Sequence, residues 1–192
     1  MNDLSELSRR PYFDHHWAGI RHSCDARVFS MPFGSGSKNV RGKRMHANPS
    51  SVARMAGHPL HPMFVPFPIA FFVGALVTDL VYWRTASMMW ETFSIWLITA
   101  GLIMGGLAAV TGAIDFLSNR EIRGLSPAWP HALGNTIALI LALINAFVHS
   151  RDGYTSVVPE GLILSVLVVI ILAYTAWMGR TMVYQYGVGV TE

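Results

Sequence analysis

Four long apolar stretches dominate this chain, and together they hold two formal charges. Phe64–Trp83 contains only Asp79, Phe93–Leu117 contains only Asp115, and His131–Val148 and Gly161–Met178 contain none. A bilayer core of ~30 Å is crossed by about 20 apolar residues in a helix. Each stretch therefore reads as a membrane span. The connections are short and carry the turn and charge signals: Arg84–Thr92, Ser118–Pro130 and His149–Glu160. Short connections make successive helices antiparallel neighbours. The expected fold is all-α, an integral membrane four-helix up-down bundle. Charged residues are 13% of the 192, about half the share of a soluble domain, which excludes both a water-facing globule and a chain disordered throughout.

The charges that exist are unevenly placed. Residues 1–57 hold nine Lys/Arg and four Asp/Glu, and residues 58–192 hold five and seven. The expected domains are a basic, disordered tail over 1–54, a four-span membrane domain over 55–182 and a short C-terminal tail over 183–192. Gly34, Ser35, Gly36, Ser37, Asn39 and Gly42 make the tail turn-rich, and Lys38, Arg41, Lys43 and Arg44 make it basic. It reads either as a segment that touches anionic lipid or as the product of an early start, with Met31, Met45 or Met55 as the true one. With the N-terminus inside, the inner segments carry 12 Lys/Arg against two outside, Arg84 and Arg151. The positive-inside rule then makes both termini cytoplasmic. The first span begins too late to be a cleaved leader. Cys24 is the single cysteine, so neither a disulfide nor a Cys-built metal centre forms within one chain.

Before the first span runs Gly57-His58-Pro59-Leu60-His61-Pro62-Met63-Phe64-Val65-Pro66-Phe67-Pro68. Each proline lacks an N–H and disfavours helix in the residue before it. An extended or kinked lead-in is expected, with clean helix from about Pro68. Pro68–Trp83 rises only about 24 Å, so part of the irregular segment must lie at membrane depth, covered by protein or lining a cavity.

The run His58-Pro59-Leu60-His61-Pro62-Met63, then Phe67-Pro68-Ile69-Ala70, Asp79, Gly112-Ala113-Ile114-Asp115, His131 and Asn135 resembles the bacterial membrane proteins grouped as domain of unknown function 2231. The resemblance covers roughly residues 55–190 and implies a four-helix membrane protein. It brings no established activity. Some relatives resemble fusions to Rieske or cytochrome modules, which implies a redox setting. Many have histidine where this chain has Pro66, and no ligand role carries over there.

The topology brings His58, His61, Asp115 and His131 to one depth at the inner end, near Tyr174 and Thr175. Such a set suits a metal such as zinc or iron, and paired imidazoles suit a haem. It equally suits a quinone head, a proton relay or a set of wet interfacial residues. Asp115 alternatively pairs with Arg120 or Arg123, or accepts backbone hydrogen bonds. Near the outer end, Asp79 is expected to pair with His149, Asn145 or Arg84, as a proton relay or a structural anchor. Gly101, Gly105, Ala109 and Ala113 recur every four residues, a pattern for close helix approach either within the chain or in a homodimer. Trp83, Trp90, Trp96, Trp129 and Trp177 read as interface anchors and not as a platform for nucleic acid. No Walker A, G-x-S-x-G, Cys-x-x-Cys-His or H-E-x-x-H motif occurs, so no catalytic machinery is expected. The preferred reading is a redox-associated subunit, with a redox partner protein, that binds a metal, haem or quinone head through His58, His61, His131 and Asp115. The alternatives are a small proton-linked transporter or channel, and a structural subunit without a cofactor.

Overall fold

The computed structural model describes residues 48–151 and 157–190. The basic tail as far as residue 47 lies outside them. The described residues form a hairpin of two-residue strands, β1 (Arg54–Met55) with β2 (His58–Pro59), and then six α-helices. These are α1 (Leu60–Phe64), α2 (Pro66–Thr85), α3 (Met88–Ser118), α4 (Arg120–Arg123), α5 (Ala128–His149) and α6 (Leu162–Tyr186). Four segments are long and apolar enough to cross a membrane: Leu60–Thr85, Met88–Ser118, Ala128–His149 and Val157–Tyr186. The protein is a multi-pass membrane protein built as an up-down bundle. Around it, α2 packs on α3 and α6, and α5 packs on the same two helices.

The proline run resolves into a stepped start. Ala56 and Gly57, with φ of 51° and 84°, turn the hairpin and pair Arg54 with Pro59 in antiparallel register. Pro62 then falls in the first turn of α1, and Pro66 and Pro68 in the first turn of α2. A helix's first turn has no intrahelical acceptor for its N–H groups, so proline costs little there. Regular helix thus starts at Pro66, two residues earlier than the sequence suggests. The 20 residues of α2 span about 30 Å, a full bilayer core.

The next span also starts early. Only Ala86 and Ser87 separate α2 from α3, with Ala86 left-handed at φ 51°. Helix α3 therefore begins at Met88 and takes in Glu91, which the charge pattern assigns to a loop. Glu91 is fully buried. At the other end of the bundle, α6 continues to Tyr186, four residues past the expected domain end.

The middle of the bundle is apolar. Phe72, Ala75, Ile98, Ala142 and Val168 form its core, with Leu102, Leu139 and Leu172 packed against them. Large apolar side chains such as Trp96, Ile103 and Phe147 point outward, as lipid allows. Helices in lipid gain no hydrophobic drive to associate, so close packing and internal hydrogen bonds hold them. The small-residue stripe serves this purpose inside the chain. A Cβ on Gly101 would lie 2.7 Å from the Phe72 ring, and one on Gly105 would lie 2.7 Å from Leu139. Of the residues of the expected homodimer face, Gly101 and Gly105 are buried within the chain, and Ala109 is exposed.

Asp115 ties the lead-in segment to the bundle. Its Oδ1 accepts the backbone N–H groups of Val52 and Ala53 at 2.6 and 2.8 Å, and its Oδ2 accepts the Ser51 hydroxyl at 2.7 Å. Asn119 donates to the Ser50 carbonyl at 3.0 Å, and Gly189 donates to that of Pro49 at 3.0 Å. Residues 48–53, which the sequence places in the tail, thus form a strap across the end of the bundle that carries the C-terminal segment. Of the partners considered for Asp115, backbone donors take the place of Arg120 and Arg123. Hydrogen bonds to a charged group contribute about 1.5–3 kcal/mol each. Asp115→Ala is expected to release the strap while the helices persist. Trypsin cleavage after Arg54, whose Nε and one Nη are buried, should accelerate at least about tenfold, with unchanged helical circular dichroism.

Candidate functional site at the strap end of the bundle

His61 sits on α1, at the kink before α2, and its ring lies against α3. Gly112 makes the room, since a Cβ there would stand 2.8 Å from the ring. The Nδ1 of His61 lies 2.8 Å from the Ala108 carbonyl. A carbonyl only accepts, so Nδ1 carries the hydrogen. His131 repeats the arrangement one helix further on. It ends the first turn of α5, lies over Gly179 of α6, and donates from Nδ1 to the Thr175 carbonyl at 2.8 Å. The two rings meet edge to face, 6.0 Å apart between centroids and 86° between planes.

The second nitrogens differ. Asn135 donates from Nδ2 to the His131 carbonyl at 2.8 Å, which fixes its amide orientation. The same nitrogen lies 3.2 Å from His131 Nε2, which therefore accepts. Thr175 donates to Asn135 Oδ1 at 3.0 Å and closes the network. His61 Nε2 has no such partner among the described residues. Its ring lines a cavity of about 320 Å³ shared with Asp115, His131 and Asn135, whose other walls include Phe116, Leu139 and Met182. A smaller cavity of about 70 Å³ continues past the same two histidines toward Phe72.

Of the residues expected to form one cluster, His61 and His131 are in contact. Asp115 reaches the cavity wall, but its carboxylate is engaged by Ser51–Ala53. His58 is exposed on the hairpin, across from Met55. Only Pro59 and Leu60 separate it from His61, but the change from strand to helix falls between them. Among the described residues, no three His, Cys, Asp or Glu side chains converge to hold a metal ion. Of the two rings in contact, His131 has its Nε2 engaged by Asn135, and His61 has an Nε2 without a partner among the described residues.

A scan of family models matches residues 57–192 to the family described as "Predicted membrane protein (DUF2231)". The chain belongs to this family. The match spans both histidines, both intramembrane aspartates and all six helices of this family member. No curated protein and no solved structure matches the chain.

A second polar centre occupies the opposite end of the bundle. His149, at the end of α5, donates from Nδ1 to the Asn145 carbonyl at 3.0 Å and places Nε2 3.0 Å from Asp79 Oδ1. Ser165 of α6 donates to Asp79 Oδ2 at 2.5 Å, and Asn145 Nδ2 donates to Ser165 at 2.8 Å. Asp79 and His149 are fully buried. Of the partners expected for Asp79, His149 bonds it directly and Asn145 reaches it through Ser165. A Cβ on Gly161 would stand 2.8 Å from the His149 ring, so that position must stay bare. Removing one partner of a buried charge pair costs about 3–5 kcal/mol, while loss of the second costs little more. Asp79→Ala and His149→Ala should each lower the thermal unfolding midpoint in detergent. The double variant should be no less stable than the worse single one, so the coupling energy should be at least as large as the cost of the milder single substitution.

Proposed function

We propose that the protein is a redox-associated subunit of the bacterial inner membrane, both termini cytoplasmic, that holds the head of a quinol for a redox partner protein. The single observation behind this reading is the open Nε2 of His61 in an apolar cavity. With its hydrogen fixed on Nδ1, the ring offers the cavity an acceptor. The complementary ligand brings a hydroxyl donor on a small apolar body. A quinol head has two such hydroxyls on one aromatic ring, and about 320 Å³ falls at the lower end of small-molecule pockets. The lipid tail of a quinol leaves through the bundle's apolar flank without desolvating a polar group. His131, held by Asn135 and Thr175, stiffens the wall against which His61 stands. The excess of Lys/Arg at the strap end supports the orientation.

Titration of a short-chain quinol into the detergent-purified protein tests the reading. Saturable binding is expected. His61→Ala should weaken it about tenfold, the loss of roughly 1.4 kcal/mol for one hydrogen bond. The oxidised quinone, which has no hydroxyl to donate, should bind more weakly than the quinol. No saturable binding, or equal affinity of quinol for wild type and His61→Ala, would overturn it.

A further inference from the structure

The far-end centre contains a residue that neither the fold nor the quinol reading uses. Glu91 is fully buried, and neither of its carboxyl oxygens has a hydrogen-bond partner among the described residues. A carboxyl group taken out of water without a partner is costly, and an ionisable group inside a membrane span is kept for a reason. Its position is defined by the hairpin register. Thr78 of α2 bonds Ser94 of α3 at 2.6 Å, so Asp79 lies level with that part of α3. Glu91 is on the same face of α3 one turn earlier, about 4.5 Å nearer the membrane surface. It stands between the Asp79–His149 pair and the far side.

The hydrogen positions in that pair are also constrained. His149 Nδ1 faces a carbonyl and must donate. Ser165 donates to Asp79 Oδ2. One proton therefore sits on the Nε2···Oδ1 line. It rests on nitrogen, giving imidazolium and carboxylate, or on oxygen, giving neutral imidazole and carboxylic acid. The net charge of the pair is the same either way. Removal of that proton leaves a neutral ring beside a carboxylate, and its return restores the pair. Among the described residues, the titratable side chains at this centre are Asp79 from α2, Glu91 from α3 and His149 from α5; α6 contributes Ser165.

We propose that Glu91, Asp79 and His149 form a one-sided proton-binding site, in which Glu91 passes protons between the far-side solution and the Asp79–His149 link. The apolar layer of Phe72, Ala75, Ile98, Ala142 and Val168 lies between this site and the strap-end histidines, so it loads and unloads from one face. Glu91 is a positioning and transfer group here, and the proton is the ligand.

The test is nuclear magnetic resonance of the full chain, labelled with ¹⁵N-histidine, in lipid nanodiscs. The His149 ring signal is assigned by its loss in His149→Gln, and exchange of its Nε2 proton with water is measured. Wild type should exchange. Glu91→Gln should slow exchange at least about tenfold, and Glu91→Asp should restore part of the rate. The His61→Ala variant should leave the rate unchanged, which separates this site from the quinol cavity. The proposal is overturned if the wild-type proton does not exchange, or if Glu91→Gln exchanges as fast as wild type. Should Glu91→Gln fail to fold, the comparison of wild type with Glu91→Asp decides in the same way: an unchanged rate overturns it.

Discussion

A carboxylate inside a lipid-covered bundle has no water to turn to, and every other feature of this protein is arranged around that fact. Asp79 and Asp115 are the two acidic residues that the spans were expected to carry, and each is satisfied entirely by protein. Asp79 takes His149 and Ser165 from two other helices, which links α2, α5 and α6 at one end. Asp115 takes the strap at the other. Helix association in lipid has no hydrophobic drive of its own, so these polar ties do the specifying that an apolar core does in water. Between them lies a small apolar core, and outside them the apolar side chains face lipid.

Glycine gives the histidines their places. His61 lies over Gly112, His131 over Gly179 and His149 over Gly161. In each case an imidazole approaches the backbone of a neighbouring segment, and a larger residue would push the ring away. Each ring donates its Nδ1 hydrogen to a main-chain carbonyl, at Ala108, Thr175 and Asn145. That repeated device leaves Nε2 as the working atom of every ring. It meets Asn135 in His131, Asp79 in His149 and the cavity in His61. The chemical difference between the two ends follows from those three partners.

Much of this arrangement is legible in the sequence. Four apolar runs with turns between them can hardly fold another way in lipid, and the topology brings Asp79 to the depth of His149 and His61 to that of His131. Other parts are hidden for physical reasons. Two of the three partners of Asp115 are the backbone N–H groups of Val52 and Ala53, and a backbone donor has no residue signature. His58 reads as equivalent to His61 until a hairpin, turned at Ala56 and Gly57, sends it to the surface. Glu91 looks like a loop charge because a two-residue connection between long helices is rarer than a longer one. Its one sequence signal is a lone acid beside Trp90, two residues before an unbroken apolar run. The glycine stripe at Gly101 and Gly105 fits intrachain and interchain contacts equally, and only the seats of Phe72 and Leu139 decide between them.

The account depends most directly on where the hydrogens of His61 and His131 reside. Nitrogen chemical shifts of ¹⁵N-histidine-labelled protein in nanodiscs report this for each ring. Both rings are expected in the form with hydrogen on Nδ1, and addition of a short-chain quinol should shift Nε2 of His61 while leaving that of His131 in place. A hydrogen on Nε2 of His61 in the neutral ring would contradict the account, because the cavity would then offer a donor where an acceptor is required.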